Sequence, residues 1–372
     1  SIDNASETYE KIDETLFNKL KNGGINVSGE VNWKFSGQVT DSSTGQTYDA
    51  SEKIQLNKFM GQNSSTLYSE VRIASQTTDE EEADATYNFK VYRNQKGMLT
   101  TKTVWVYPPR DYFPGESLEN SEYCAYVKNL KEKGFEIALH DAGSGEFSGA
   151  EISAALDIFK NIFGDYPKMN INHGDNPSGM YWCGKRFSAP VAKLYDFYKK
   201  KKGTFVESKG DVPESASFWG GACKENIKYI RNRVYGELNL LKRDKYTPYR
   251  EKRKDAYSNY WFSSSDAMTA DMFVKLLSRK NVDKLEKEHG CAIIYTHFGY
   301  GFVDENGDLR KDVRDAIDYI AAKDGWFAPA SEILDFLLQN KKGSEYISGV
   351  ASVKLDILWI AERIYRKFRD KV

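Results

Sequence analysis

Apolar positions change their period along this chain, and the change marks its parts. Tyr9, Ile12, Leu16 and Leu20 recur at helical spacing, and Gly23-Gly24 stops that run. Ile25, Val27, Val31, Trp33, Phe35 and Val39 then take odd positions with mostly polar residues between them, the signature of a half-buried strand. The turn cluster DSSTG (41–45) leads into a second alternation through Tyr48, Ile54 and Leu56. Residues 1–68 are therefore expected to form a helix and an antiparallel β-hairpin, either an accessory layer or the contact of a homo-oligomer.

From residue 69 onward strands alternate with helices. EVRIASQTT reads as a first strand, and MLTTKTVWVYPP as a second, closed by Pro108-Pro109. A helix from Ser121 ends at Gly134, and FEIALH follows as a strand ending on His140. Ser148 and Glu151 form a capping box for a helix whose stripe is Ile152, Ala155, Leu156, Phe159, Ile162 and Phe163, with Gly164 just past its end. KMNINHG is a short strand ending on His173, CAIIYTH one ending on His297, and GWFAP a last one feeding a helix from Ser331. This α/β alternation over 69–340 predicts a parallel sheet with crossover helices, about seven or eight units forming a distorted (β/α) barrel. Residues 203–262 read mostly as loop. Within 341–372, VKLDILWIAERIYRKFRD is an amphipathic segment expected to dock as a C-terminal helix.

Charge narrows the possible partners. Lys and Arg total 53 against 54 Asp and Glu, a net charge of −1, so no basic footprint for nucleic acid or an anionic membrane is visible. No apolar run reaches the length of a transmembrane span, and no leader pattern opens the chain. The expected compartment is the cytoplasm, with a trimmed leader left open by the start at Ser1. Cys124, Cys183, Cys223 and Cys291 are widely spaced without a CxxC, which suits buried reduced thiols and not a cysteine-built zinc site.

The histidines point to chemistry. Of four, His140, His173 and His297 end expected strands, while His289 falls in the last turn of a helix, where a cation is favoured. Strand ends of one barrel converge on a common mouth. Asp79 and Glu80, at the end of the first expected barrel strand, add carboxylates to it. Imidazoles and carboxylates together suit a divalent ion, zinc first, whose bound water ionises near neutral pH. Trp182, Arg186 and Trp219 fall on loops around the mouth: rings to stack on a sugar and a cation for phosphate or uronate, or else plugs of the barrel. The loop DAGSG (141–145) is a weaker candidate for cradling a phosphate.

These residues resemble the polysaccharide deacetylases with a NodB-homology barrel, in the divergent branch associated with O-antigen and surface-sugar biosynthesis. TTDEE (77–81) is similar to that family's Thr-Phe-Asp-Asp-Gly motif, which implies Asp79 as general base and Glu80 in place of the metal-binding Asp. HDAGS (140–144) matches only the first residue of its His-x-x-x-His motif, because Ser144 stands where the second His belongs. IIYTH is similar to its late Leu-His motif, which implies His297 as general acid. The family's Arg-containing third motif falls near NHGDNP (172–177), where His173 stands instead. The implied metal ligands are Glu80, His140 and His173. Three outcomes stay open: His173 completes the site, metal affinity is weak, or activity is lost. The resemblance implies a metal-dependent hydrolase that removes an N-acetyl or O-acetyl group from a sugar. The alternative is a catalytically silent barrel that binds a glycan or a protein partner.

Overall fold

The computed structural model describes residues 31–34, 37–40, 47–50, 53–56, 98–111, 113, 115–174, 176–304 and 308–370; before residue 57 and over 367–370 it describes the backbone alone. The expected N-terminal helix, the expected strand EVRIASQTT, Asp79 and Glu80 lie outside these residues. The chain divides into two compact units, 1–98 with 303–311, and 99–302 with 312–372. The division falls after Met98 and not after residue 68, and the C-terminal helix belongs to the second unit.

In the first unit, four short strands make two antiparallel ladders. β1 (Val31–Lys34) pairs with β4 (Lys53–Leu56), and β2 (Gly37–Thr40) with β3 (Thr47–Ala50). Val31 lies opposite Leu56 in one ladder and Val39 opposite Tyr48 in the other.

The second unit is built on a six-stranded parallel sheet. It runs β5 (Thr101–Val104), β6 (Glu136–Leu139), β7 (Met169–Asn170), β8 (Tyr229–Tyr235), β9 (Tyr260–Asp266) and β10 (Ile294–Tyr295), each strand beside its predecessor in the chain. Strands in chain order need crossover connections, and helices that supply them pack on the sheet's outer face. The sheet curls into a half-barrel. This is an α/β fold wound like a barrel and not a doubly wound sheet.

Local signals place the helices. α1 (Ser121–Glu132) starts where the Asn120 side chain accepts from the backbone N–H of Glu122 and Tyr123. α2 (Gly149–Phe163) opens on the Ser148–Glu151 capping box and closes on Gly164 at φ 90°. Its stripe Ile152, Ala155, Leu156 and Phe159 is buried in one cluster with Ile137, Leu139, Ile230 and Trp261 from the sheet's outer face. Removing such a side chain to Ala costs about 2–5 kcal/mol. The inner face carries Ala138, Met169, Ile171, Tyr229 and Phe262, closed by Leu334.

The remaining helices are α3 (Ala189–Lys201), α4 (Gly220–Asn226), α5 (Leu240–Arg243), α6 (Ala270–Leu276), α7 (Arg279–Lys287), α8 (Lys311–Ala321), α9 (Ala330–Gln339) and α10 (Gly349–Asp370). None of the described helices is long and apolar enough to cross a membrane.

Two expectations need correction. GWFAP (325–329) joins no ladder; Pro329 has no N–H, and the next two backbone donors go to Thr101 Oγ1 at 2.8 Å and Glu136 Oε2 at 3.1 Å. The loop-like stretch 203–262 contains α4, β8 and the start of β9. Its strand β8, YIRNRVY, hides because Asn232 and Arg233 are wholly buried polar residues, which spoils any apolar alternation.

Candidate active site at the strand ends

Period two fixes which side chains line the half-barrel. Continuing the inner-face series one step past its apolar layer gives His140 after Ala138, His173 after Ile171, Arg231 after Tyr229 and Ser264 after Phe262. Tyr295 and His297 follow Ile293 in the same way. On β5 the inward parity reaches Trp105, whose ring meets those of His140 at 6.3 Å and His173 at 5.4 Å. Chemically active side chains therefore take the inward positions at the strand ends, with Arg231 opposite Phe262 and Ser264 opposite Val234 in the ladder.

His140 and His173 form the centre of this layer, with ring centroids 5.0 Å apart and planes at 60°. His140 Nδ1 lies 2.7 Å from the carbonyl oxygen of Ile171. A carbonyl only accepts, so Nδ1 carries the proton and Nε2 keeps its lone pair. His173 reaches the same state by a longer route. Ser144 Oγ donates to Asp111 Oδ2 at 2.8 Å, because a carboxylate only accepts. The same Oγ is 3.2 Å from His173 Nδ1 and, its proton already spent, accepts from it. Both imidazoles thus present an uncommitted Nε2. Burial, then the neighbouring His173, hold His140 well below the usual histidine range. Burial also lowers His173, against the pull of Asp111. Both are neutral at pH 7, the form that ligates a metal or takes a proton.

Asp141 holds the loop that bears them. It is 3% exposed at φ 52°, a conformation Asp tolerates better than most residues. Its carboxylate accepts from Asn170 Nδ2 at 3.0 Å, His173 N at 2.9 Å and Asn176 Nδ2 at 3.1 Å, while Asn170 Oδ1 accepts from its own N–H at 3.0 Å. The strand ends of β6 and β7 are locked together by this one side chain. Burial raises its acid to about 6, partly offset by those three donors.

The opposite wall comes from β8 and β10. Arg231 lies over the Tyr295 ring, Cζ 4.2 Å from its centre. Tyr295 OH is 3.2 Å from His297 Nε2, and His297 Nδ1 is buried with no partner. Burial, then Arg231 and His173, hold His297 below the usual range. The rim is aromatic: Phe113 meets the His173 ring edge-on at 4.8 Å, and Tyr300, 48% exposed, meets that of His297 at 5.0 Å.

The three loop residues expected at the mouth are committed to packing. Trp219 is 2% exposed in the main core and donates to Ser178 O at 2.9 Å. Trp182 is 8% exposed and donates to Gly174 O. Arg186 stacks on Trp182 at 4.2 Å and binds Asn232 through Nε and Nη2. Burial pushes its guanidinium down to about 9. The rings that do line the cleft are Trp105, Phe113, Tyr295 and Tyr300. Inward parity marks Trp105 and Tyr295 in the sequence, whereas Asp111 and Phe113 lie on a loop with no periodic signal.

Of the expected metal ligands, the structure brings His140 and His173 together, and Glu80 lies outside the described residues. Two Nε2 lone pairs with anchored Nδ1 atoms fit the imidazole half of a divalent site. No set of three His, Cys, Asp or Glu side chains positioned to hold an ion occurs among the described residues. Asp79, the expected base, lies outside them too; the described carboxylate nearest in role is Asp111, tied to Ser144. No family model, no curated protein and no solved structure matches this chain.

Proposed function

We propose that the chain is a hydrolase that removes an acetyl group from a sugar, working at the C-terminal mouth of the half-barrel. The observation that carries this reading is the pair of neutral imidazoles, His140 and His173, each anchored at Nδ1 and open at Nε2. A divalent ion bound by this pair would supply a nucleophilic water near neutral pH. His140 and His173 orient that half of the site. His297, on the opposite wall with Nε2 3.2 Å from the Tyr295 hydroxyl, is the proposed general acid for the leaving group. Trp105, Phe113 and Tyr300 offer faces and edges on which a sugar ring packs, which favours a carbohydrate over a peptide.

The test is acetate release from a panel of N-acetylated and O-acetylated sugars, with and without added zinc. Metal-stimulated release that disappears in His140→Ala and falls by two to four orders of magnitude in His297→Ala is the expected result. The silent-barrel reading replaces it if no acetylated sugar is turned over and glycans still bind with His140 and His297 both dispensable.

A further inference from the structure

We propose that the wall formed by β8 and β9 is an anion subsite that takes the carboxylate of an acidic sugar, with Arg231 and Ser264 as its donors. The proposal deepens the reading of the cleft as a sugar site and rests on it. Arg231 points into the cleft from β8, yet no ion pair among the described residues involves it. The two carboxylates that attract it electrically are engaged elsewhere. Asp266 pairs with Arg363 at 3.4 Å and Arg366 at 2.6 Å. Asp141 is saturated by Asn170, Asn176 and the His173 backbone. What otherwise surrounds Arg231 is Tyr295, whose ring it covers and whose hydroxyl accepts a hydrogen bond from it, and three imidazoles, none of which can neutralise it.

Two buried polar atoms on this wall have no partner: Arg231 Nε and Ser264 Oγ. Ser264 is 1% exposed and shares the inward face with Phe262, whereas Ser263 and Ser265 bond to Asp244 and to the backbone of Glu237 and Leu238. Buried donors without acceptors are costly, and each calls for a reason, a bound ligand among them. One guanidinium provides one positive charge and a planar edge, which match a carboxylate in both charge and shape. The Ser264 hydroxyl, one inward position past Phe262, the ladder partner of Arg231, adds a neutral donor. A register shift in the β8–β9 pairing between Arg231 and Val234 breaks the ladder here, as irregularities beside binding sites commonly do.

The experiment compares binding of glucuronate with glucuronamide, its uncharged amide, to the full chain by ligand-observed NMR titration. The expected result is at least tenfold tighter binding of the acid, abolished in Arg231→Gln and partly kept in Arg231→Lys. Ser264→Ala, a smaller change that spares the charge, should weaken the acid severalfold and leave the amide alone. Circular dichroism melts identify any variant that fails to fold, and Ser264→Ala then carries the test. Equal affinity for acid and amide, persistence of the preference in a folded Arg231→Gln, or tighter binding of glucose 6-phosphate than of glucuronate overturns the subsite. Acetate release is scored separately. Uronate preference without hydrolysis removes the hydrolase and keeps the subsite, while hydrolysis of neutral sugars with no acid preference does the reverse.

Discussion

Ser144 has a definite job where a metal-binding histidine was looked for. Wholly buried, it passes the orientation of Asp111 to His173, and that relay fixes which nitrogen of His173 faces the cleft. Ser144→Ala should lower turnover or zinc affinity by roughly 10–100-fold, as loss of a ligand-orienting partner does. The same loss should shift the acid limb of the pH–rate profile, which a purely structural serine would leave in place. The three cleft histidines also set a pH response in metal-free protein. Each is a base whose folded pKa lies below its ordinary 6.5, through burial first and then neighbouring cations. The unfolded chain therefore takes up protons first, and stability falls as pH drops from about 6.5 toward the folded values. Urea midpoints at pH 7 and pH 5 should fall apart less in His140→Gln than in wild type. Identical pH slopes in the two proteins would remove His140 as a source of the linkage. At this scale the sequence was informative wherever a side chain ended a strand: His140, His173 and His297 were legible by position. Trp182, Trp219 and Arg186 were misplaced because loop membership says nothing about burial.

Elements were legible where their order is local. The Ser148–Glu151 box, the Gly164 cap and a continuous apolar stripe specify α2 without reference to the rest of the chain. The strand β8 was not, since its buried Asn232 and Arg233 are satisfied by Tyr249 and Asp356, far away in sequence. A polar strand paired through tertiary contacts carries no local signature. The junction of β6 and β7 shows the same dependence. Its register relies on Asp141, which unites a strand end, the Asn170 amide and the Asn176 loop. Asp141→Ala leaves those buried donors unpaired, at about 1–3 kcal/mol for each one left unsatisfied. Chemical denaturation should show a loss of at least about 2 kcal/mol, and amide exchange should rise first around residues 141–145 and 172–176. A variant as stable as wild type, with unchanged exchange there, would mean that the loop is held by other contacts.

Across the second unit, the tail is what ties the sheet to its outer layer. Asp356 on α10 and Arg233 on β8 are both wholly buried and ion-paired, with Arg233 Nε donating to Asp356 Oδ1 at 3.1 Å. Ser188, just before α3, donates to the other carboxylate oxygen through its N–H at 2.7 Å and its hydroxyl at 2.6 Å. Leu355 and Ala351 add the apolar part of the contact by entering the main core. The amphipathic pattern of the C-terminal segment is therefore spent on docking. Arg233 is two residues from Arg231, across the register shift in the β8–β9 ladder. Asp356→Ala leaves a guanidinium buried and uncompensated, which costs about 3–5 kcal/mol when one partner of such a pair is removed. Replacing both partners with apolar residues, as in Arg233→Met with Asp356→Leu, removes the stranded charge and should recover part of that loss; the Ser188 donors still lack their acceptor. Urea unfolding of the three proteins measures this order directly. If Asp356→Ala unfolds within about 1 kcal/mol of wild type, water or another side chain must reach Arg233, and α10 is not the clamp on β8.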